Sequence, residues 1–288
     1  MTSPRALLAA HNIRPKKHFG QNFLTDPNIA GMIVERSEIL PDEVVLEIGA
    51  GLGALTVPAA LKAHKVIAIE KDRHIIGILK VEMIANRLSN VEIIEKDFLK
   101  LDLKAMLKTT GQKIVVLGNL PYNISSQVLV RLVSFRKMVS RAVLMFQKEM
   151  AQRITANPGC KSYGRITVML KYCSGIKKIA DINASSFYPK PKVDSEVLEI
   201  KFKRDPEYAA DDETFLFKVV KAAFGNRRKT LKNALFASNL GIEANDARVV
   251  LERSEIDPMR RAETLNIEEF VRLSNNIAQF LNKPYQSE

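Results

Sequence analysis

The sequence contains no tryptophan, and it has only two cysteines and four histidines among 288 residues. The cysteines, Cys160 and Cys173, lack the CxxC spacing of zinc and redox sites, and the histidines form no ligand cluster with them. No run approaches the roughly 20 uninterrupted apolar residues of a membrane-spanning helix, and the short apolar patch at residues 6–10 is followed by positive charge, unlike an export signal. These absences predict a cytoplasmic protein with reduced thiols, no metal site and no membrane partner.

Acidic residues are scarce in three stretches that are rich in lysine and arginine. Residues 131–178 contain eleven basic residues and one acid, residues 214–233 contain six and none, and residues 1–25 contain four and none. The whole chain carries a formal net charge of +12. Charge segregated in this way attracts polyanions, most often nucleic acid, although a solvated lysine-rich surface is the alternative.

Apolar runs rich in β-branched residues alternate with segments of helical periodicity over the first 200 residues. The predicted strands are Val44–Ile48, Val66–Glu70, Val91–Ile94, Ile114–Leu117 and Ala142–Phe146, and helices are predicted at 27–39, 53–63 and 72–86. This alternation predicts βαβ units and a parallel sheet, and therefore an α/β fold. Two further extended segments, 177–182 and 196–202, would pair at the sheet edge.

The composition turns polar and acidic at KRDPEYAADDET (203–214), which is typical of a linker that runs into a helix N-terminus. Beyond it, the segments 215–237, 243–251 and 267–281 carry helical periodicity and no strand pattern. The sequence therefore predicts two domains, an α/β domain at residues 1–205 and a small helical domain at residues 206–288.

The first predicted strand ends in a glycine-rich loop, VLEIGAGLG, with glycines at positions 49, 51 and 53. Glycine lets a ligand approach the backbone and leaves amide groups available to bind it. With Ala54 the loop also satisfies the dinucleotide pattern G-x-G-x-x-G/A, so a nicotinamide or flavin enzyme is one interpretation. Glu70, at the end of the second strand, would face the ribose hydroxyls of a nicotinamide or a flavin cofactor.

Two further acids favour S-adenosylmethionine, which has an amino-acid end and an adenosine end but no pyrophosphate. Glu47 precedes the glycine loop, where a carboxylate would oppose a phosphate but could lie near a cationic ligand. Asp97 follows the third strand and could accept a hydrogen bond from an adenine amino group. One acid after a strand is commonly a cap or a surface charge, but an acid at each of three consecutive strand ends beside one glycine loop is rarer.

The fourth predicted strand runs into GNLPYNISS (118–126), which contains more than a turn requires. Methylation of an exocyclic base amine needs the nitrogen lone pair to be localised, which acceptors of the amine hydrogens promote. Asn119 offers a side-chain carbonyl and Leu120 a backbone carbonyl, while Pro121 restricts the residue before it. Tyr122 supplies a flat face on which a base can stack. The motif therefore predicts amine methylation by positioning and electrostatics, without a general base before transfer.

Five motifs together resemble the bacterial ribosomal RNA adenine dimethyltransferases that modify small-subunit RNA, namely HFGQNFL (18–24), EIGAGLG (47–53), NLPYNISS (119–126), FQKEMAQRI (146–154) and SSFYPKPKVDS (185–195). The resemblance implies a Rossmann-like S-adenosylmethionine-dependent methyltransferase sheet with a small C-terminal helical domain. It also implies dimethylation of the amino nitrogen of two adjacent adenosines near the 3' end of 16S RNA, within a precursor of the small ribosomal subunit.

The resemblance assigns roles to individual residues. Cofactor binding falls to Asn22 and Leu24 at the methionine end, Gly49 in the loop, Glu70 at the ribose and Asp97 at the adenine, together with Asn119. The implied catalytic residues are Asn119, Leu120, Pro121, Tyr122 and Phe187, with Tyr122 and Phe187 stacked on the target adenine. Phe187 would fit a core position, but the residues that follow it, YPKPK (188–192), favour an exposed, rigid loop. AAFGNRRKTLKNAL (222–235) resembles the family's basic helix, in which Arg227, Arg228 and Lys229 would contact phosphates.

Other functions remain open at this point. A large-subunit RNA adenine methylase of the antibiotic-resistance type would share the core, a DNA amine methyltransferase would carry a different tetrapeptide, and a dinucleotide oxidoreductase would leave NLPY unexplained. A pure binding role, as an assembly checkpoint or transcription cofactor, would use the same surface. A monomer is the default expectation for the oligomeric state.

Overall fold

The structure of the protein, a computed structural model, describes residues 3–108 and 110–281. The chain divides into two compact units, of which the first comprises Met1–Ala151 and Gly175–Phe202 and the second Gln152–Ser174 and Lys203–Glu288. The predicted division at residues 205 and 206 differs from this one, because residues 152–174 group with the helical unit. They do so because the helix α8 (Arg165–Cys173) packs against two helices of that unit, α9 (Glu213–Ala223) and α12 (Ile267–Leu281).

The described residues of the first unit contain the strands of the protein. They are β1 (Phe23–Leu24), β2 (Val44–Ile48), β3 (Lys65–Glu70), β4 (Val91–Glu95), β5 (Ile114–Asn119), β6 (Val139–Gln147), β7 (Ser174–Ile182, whose first residue is grouped with the second unit), β8 (Phe187–Tyr188) and β9 (Ser195–Phe202). Seven form one sheet in the order β4-β3-β2-β5-β6-β9-β7, and β1 pairs with β8 separately. All five predicted strands and both predicted edge segments are confirmed.

The sheet is parallel from β4 through β6, and β9 is antiparallel to β6. Every residue of β2 is buried, and β5 is buried up to its last residue. Central parallel strands read as continuous apolar runs when both faces are covered, which is why these segments do not alternate with polar residues. This architecture is the expected Rossmann-like sheet, and its carboxyl edge positions the site described below.

Six helices of the first unit lie within its described residues, and a seventh, α7, includes residues of both units. Their bounds are α1 (Pro4–Ala10), α2 (Pro27–Arg36), α3 (Thr56–Ala60), α4 (Arg73–Ala85), α5 (Leu103–Lys108), α6 (Ser125–Ser134) and α7 (Lys148–Thr155). The helix predicted from residue 53 begins only at Thr56, because Gly49, Gly51 and Gly53 adopt positive φ angles and form a turn instead.

The second unit contains α8, α9 and α12 together with α10 (Leu231–Phe236) and α11 (Ala244–Arg253). The segment 215–237, predicted to be helical throughout, is interrupted: α9 ends at Ala223, and α10 begins after Thr230. The prediction of a basic helix is therefore wrong for Arg227, Arg228 and Lys229, which lie in turns. Gly225 and Asn226 stand at the interruption, and both residue types favour turns over helix interiors.

No helix in the part of the chain that the structure describes is both long enough and apolar enough to cross a membrane.

Candidate active site

Four parallel strands end at one edge of the sheet and open into a cavity. The walls come from residues that follow β2, β3, β4 and β5 and from the segment 16–24, termed the strap, of which residues 18–24 face the cavity. Parallel strands share one carboxyl edge, so motifs distant in sequence meet there. Nine of the ten sequence-predicted site residues line the cavity, namely Asn22, Leu24, Gly49, Glu70, Asp97, Asn119, Leu120, Pro121 and Tyr122.

The glycine turn after β2 lets neighbouring segments approach closely. A Cβ atom on Gly51 would lie 3.3 Å from the ring of Phe23 in the strap, and the φ angle of Gly51 is +55°. The amides of this turn are already used within the chain: Gly49 and Ala50 donate to the carbonyl of Ile69 at 2.9 and 3.1 Å, and Gly51 donates to Glu70. The turn therefore offers a smooth surface and few amide donors, contrary to the expectation of amides available for a ligand.

Glu70 ends β3, and its carboxylate is held by backbone amides. Oε2 accepts from Gly51 at 2.9 Å, and Oε1 accepts from Lys71 and Asp72 at 2.8 Å each. Burial raises the pKa of Glu70 above its ordinary value, although these three hydrogen bonds oppose the increase. The carboxylate is fixed in orientation at the cavity wall, where it can accept from hydroxyl groups.

Glu47 lies one strand away from Glu70 and has a different environment. It is 2% exposed, and its Oε2 accepts a hydrogen bond from the Thr56 hydroxyl at 2.6 Å. Burial raises the pKa of Glu47 to about 8, and the negative charge of Glu70 adds to the increase. The carboxyl is thus largely protonated at neutral pH until a positive charge comes near it.

Asp97 follows β4 and is the third acid of the series. Its Oδ1 accepts from the amide of Leu99 at 3.0 Å, and its Oδ2 accepts from the Lys71 ammonium at 2.8 Å. Burial would raise the pKa of Asp97, but these partners outweigh it and hold the pKa below its usual value. Asp97 is therefore an ionised acceptor at the cavity rim.

Two hydrogen-bond acceptors without donors stand at the end of β5. Asn119 donates its side-chain amide to the carbonyl of Asn22 at 2.8 Å, which fixes the opposite orientation for its Oδ1 atom. Among the described residues, no hydrogen bond reaches Asn119 Oδ1 or the backbone carbonyl of Leu120. A pair of unoccupied acceptors at a cavity wall is suited to a donor that arrives with a ligand.

The aromatic ring predicted to stack on a base is anchored by its hydroxyl. Tyr122 lines the cavity, and its hydroxyl lies 3.2 Å from that of Ser195, a fully buried residue at the start of β9. Burial raises the pKa of Tyr122, so the hydroxyl stays protonated. Leu120, two residues before Tyr122, is 1% exposed and holds the loop against the core.

Phe187 is buried, whereas its neighbours in the sequence predict an exposed loop. Its side chain is 3% exposed and belongs to a hydrophobic core cluster that includes Leu24 and Val143. Strand pairing explains this burial, because Phe187 lies opposite Leu24 in the β1–β8 ladder. The expectation of an exposed ring at this position is wrong, and Phe187 is not among the residues that line the cavity.

Sequence reasoning did not single out several polar residues that shape the site. Gln21 in the strap and Lys71 after Glu70 line the cavity, while Asp72 and Ser195 support it from behind. A weak signal existed for Asp72, since an aspartate before a helical segment predicts an N-cap. Nothing in the pattern of the sequence pairs Ser195 with Tyr122, which is 73 positions away.

Basic residues of the second unit differ in how they are engaged. The Arg227 guanidinium donates to Glu263 at 2.9 Å through Nε and to the carbonyl of Lys161 through Nη2. Arg228 and Lys229 are exposed, and no ion pair within the described residues involves either of them. Arg227 therefore holds the turn in place through these hydrogen bonds, whereas Arg228 and Lys229 expose their charges to solvent.

The polar groups of the cavity fit one kind of cofactor better than the other. A dinucleotide needs free amides for its pyrophosphate, and the amides of this glycine turn are already bonded to Ile69 and Glu70. Carboxylates at Glu70 and Asp97 instead suit ribose hydroxyls and an adenine amino group. The fold and the site define an S-adenosylmethionine-dependent methyltransferase.

Comparison with known proteins identifies the family. The family model described as "Ribosomal RNA adenine dimethylase" matches residues 12–279. A ribosomal RNA small subunit methyltransferase A from Desulforapulum autotrophicum is 52% identical over 275 residues, which is 96% of each chain. One from Alkaliphilus metalliredigens is 40% identical over 95% of this chain and 96% of its own. The chain belongs to the ribosomal RNA adenine dimethylase family, and it is a ribosomal RNA adenine dimethyltransferase that uses S-adenosylmethionine.

Solved structures agree with this assignment. A dimethyladenosine transferase from Plasmodium falciparum is 30% identical, with a TM-score of 0.73 over 87% of this chain and 95% of that one. The 23S rRNA methyltransferase ErmE has a TM-score of 0.67 over 89% of this chain and all of its own, but only 22% identity. The second similarity shows a shared fold and does not distinguish between the RNA targets.

Proposed function

We propose that the enzyme transfers methyl groups to the amino nitrogens of two adjacent adenosines near the 3' end of 16S ribosomal RNA, in a precursor of the small subunit. The single observation that carries the chemistry is the pair of free acceptors, Asn119 Oδ1 and the Leu120 carbonyl, at the end of β5 beside the cavity. Identity of 52% with a small-subunit methyltransferase supports the choice of RNA. We further propose that it acts in the cytoplasm as a monomer.

The cofactor would be held by the residues at the ends of β2, β3 and β4 and by the strap. Glu70 would accept from the ribose hydroxyls and Asp97 from the adenine amino group, while Asn22, Leu24 and Gly49 would enclose the methionine end. S-adenosylmethionine supplies an electrophilic methyl group on a positively charged sulfur. Glu47, protonated in a buried site, would ionise when a cation lies close, because a nearby positive charge lowers a carboxyl pKa.

The residues after β5 would prepare the target nitrogen. Before the first transfer, each of the two acceptors would accept a hydrogen bond from one N–H of the exocyclic amine, which favours a pyramidal nitrogen with a localised lone pair. The hydrogen bond from Asn119 to the carbonyl of Asn22 holds Oδ1 in one orientation. The acceptor is therefore already oriented when the base binds. No base is required before transfer, because the product ammonium is acidic and loses its proton afterwards.

The target adenine would stack on Tyr122, whose ring is held in place by the hydrogen bond to Ser195. A base taken out of single-stranded RNA is commonly recognised in this way. Phe187 can provide a second stacking face only if its ring leaves the core cluster in which it is buried. Tyr122 is therefore the aromatic platform in this proposal.

Arg228 and Lys229 in the turn before α10 would contact phosphates of the RNA, and Arg227 would position that turn through Glu263 and Lys161. Arg228→Met should lower the slope of log Kd for RNA against log salt by about one unit, as expected for one phosphate contact. Arg248→Met, which removes an exposed arginine paired with Glu252 on α11, is the matched control. An unchanged slope for Arg228→Met would remove the turn from the RNA-binding surface.

Methyl transfer from labelled S-adenosylmethionine to small ribosomal subunits that lack this modification tests the main proposal. Nucleoside analysis should find dimethyladenosine at two adjacent positions of the 16S RNA. Label on large-subunit RNA alone would reassign the substrate to that of the resistance-type methylases. Tight subunit binding without transfer would favour a role in assembly.

A further inference from the structure

The strap is fastened to the cofactor side of the cavity by one buried carboxylate. Asp72 Oδ1 accepts from the Lys16 ammonium at 2.9 Å, and Asp72 Oδ2 accepts from the Gln21 side-chain amide at 2.9 Å. Gln21 also accepts, through Oε1, from the backbone amide of Lys16 at 2.7 Å. These three residues form a closed set of hydrogen bonds, termed the clasp, across 56 positions of sequence.

Asp72 is placed to act as a charged acceptor and not only as a helix cap. Its side chain is 2% exposed, whereas that of Lys16 is 33% exposed. Burial would raise the pKa of Asp72, but the hydrogen bonds from Lys16 and Gln21 outweigh it and keep the carboxylate ionised. Oδ1 additionally accepts from the amide of His74 at 3.2 Å, as the N-cap of α4. Charge-assisted hydrogen bonds of this kind are stronger than neutral ones.

The clasp is continuous with both halves of the site. The amide of Asp72 donates to Oε1 of Glu70 at 2.8 Å, so the residue that binds the strap also orients the ribose acceptor. At the other end of the strap, the carbonyl of Asn22 accepts from Asn119 at 2.8 Å. Residues 18–24 between these attachments form one wall of the cavity.

We infer that Asp72 is a positioning residue for cofactor binding, which acts by holding Lys16 and Gln21 so that the strap closes the cavity. Asp72, Lys16 and the clasp itself lie outside the set of residues predicted to touch the cofactor or the target base. The inference rests on the proposed placement of the cofactor between Glu70, Asp97 and the strap. The affinity for the cofactor would then depend on the hydrogen bonds between Asp72 and the strap, in which the cofactor takes no part.

Substitution by asparagine separates the clasp from the helix cap. Asparagine caps helices as well as aspartate does, so Asp72→Asn preserves the N-terminus of α4. It removes the charge that Lys16 pairs with, and its new amide group would face the Gln21 amide, donor against donor. Gln21 cannot turn its side chain to compensate without losing the hydrogen bond from Lys16.

The test measures binding of S-adenosylhomocysteine by calorimetry, together with hydrogen exchange of the strap amides in the free protein. Asp72→Asn and Lys16→Met should each raise Kd by about tenfold, as expected for the loss of one charge-assisted hydrogen bond. The double variant should bind no more weakly than Asp72→Asn alone, because the two substitutions break the same contact. Strap amides should exchange faster in Asp72→Asn while amides of the sheet stay protected.

Lys65→Met is the control, because Lys65 forms an exposed ion pair with Glu92 at 2.6 Å outside the clasp, and its Kd should equal that of the wild type. Wild-type binding and exchange in Asp72→Asn would overturn the inference. Glu70→Gln, assayed in parallel, tests the placement of the cofactor separately from the role of the clasp. Weak binding in Glu70→Gln with normal binding in Asp72→Asn rejects only the role of the clasp. Normal binding in both variants rejects the cofactor placement and the clasp together.

Discussion

The cavity has a cofactor half, at the ends of β2, β3 and β4, and an amine half, at the end of β5. The polar groups of the two halves differ in whether the chain itself provides their hydrogen-bond partners. In the cofactor half, the chain provides the partners: Glu70 accepts hydrogen bonds from three backbone amides, and Asp97 accepts one from a backbone amide and one from a lysine ammonium. In the amine half, Asn119 Oδ1 and the Leu120 carbonyl receive no hydrogen bond from the described residues. The first half is therefore built and oriented by the fold, whereas the second half keeps its acceptors for the substrate.

This difference separates what a substitution does in each half. A change at a carboxylate held by backbone amides disturbs both the local fold and the affinity for the cofactor. Loss of a free acceptor removes an interaction that matters only when the target amine is present, so its main effect is on the rate. The following experiments test this separation.

The largest effect is expected for Asn119→Ala. Removal of an acceptor that acts on the reacting nitrogen should lower the rate of methyl transfer by about 1000-fold, the scale seen when one preorganised polar contact is lost. Affinity for S-adenosylhomocysteine should fall less, by about tenfold, because the substitution also removes the hydrogen bond to the carbonyl of Asn22 that attaches the strap. Asn123→Ala, which also lines the cavity, should retain most of the rate. A parallel loss of rate and cofactor affinity in Asn119→Ala would show that the halves are not separate.

Glu47→Gln should change the pH dependence of stability. The folded-state pKa of about 8 exceeds the ordinary 4.5, so the native state holds this proton more tightly and wild-type stability falls as pH rises between these values. Glutamine can still accept the hydrogen bond from Thr56 but does not titrate. The free energy of unfolding of Glu47→Gln, relative to wild type, should increase by on the order of 3 kcal/mol from pH 5 to pH 8.

Urea unfolding of both proteins at several pH values measures this difference. A constant difference between the free energies of unfolding of wild type and Glu47→Gln across this pH range would show that Glu47 is ionised throughout.

Glu70→Gln should weaken S-adenosylhomocysteine binding by about 30-fold. The amide group of glutamine would take the position of the oxygen that accepts from Gly51, so this donor loses its acceptor. Calorimetry measures the affinity, and the midpoint of unfolding should fall as well because the contact is part of the fold. Unchanged stability combined with lost affinity would place Glu70 with the free acceptors instead.

The smallest effect is expected where the amine half is supported from behind. Ser195→Ala and Tyr122→Phe each break the hydrogen bond at 3.2 Å between the two hydroxyls, and each should lower kcat by about fivefold because the stacking ring is less well positioned. The double variant should match the single variants, since both remove the same contact. Additive losses would show that the Tyr122 hydroxyl has a role apart from Ser195.

Several elements were predictable because their signals are local. The five parallel strands appear as segments rich in β-branched apolar residues, and the end of β5 carries NLPY, whose acceptors follow from residue type alone. The helix expected across 215–237 is interrupted near Gly225 and Asn226, two residue types that favour turns over helix interiors. The grouping of residues 152–174 with the helical unit depends on packing of α8 against α9 and α12, which periodicity does not reveal.

The sequence by itself determined the order of strands and helices, the glycine turn and the residues that meet at the carboxyl edge, because all of these follow from short-range pattern and from the shared direction of parallel strands. Tertiary structure decided which groups are free and which are engaged. It buried Phe187 opposite Leu24, bonded the amides of the glycine turn to Ile69 and Glu70, and joined Asp72 to Lys16. Whether a polar group is available to a ligand depends on neighbours distant in sequence, and only the folded chain brings those neighbours together.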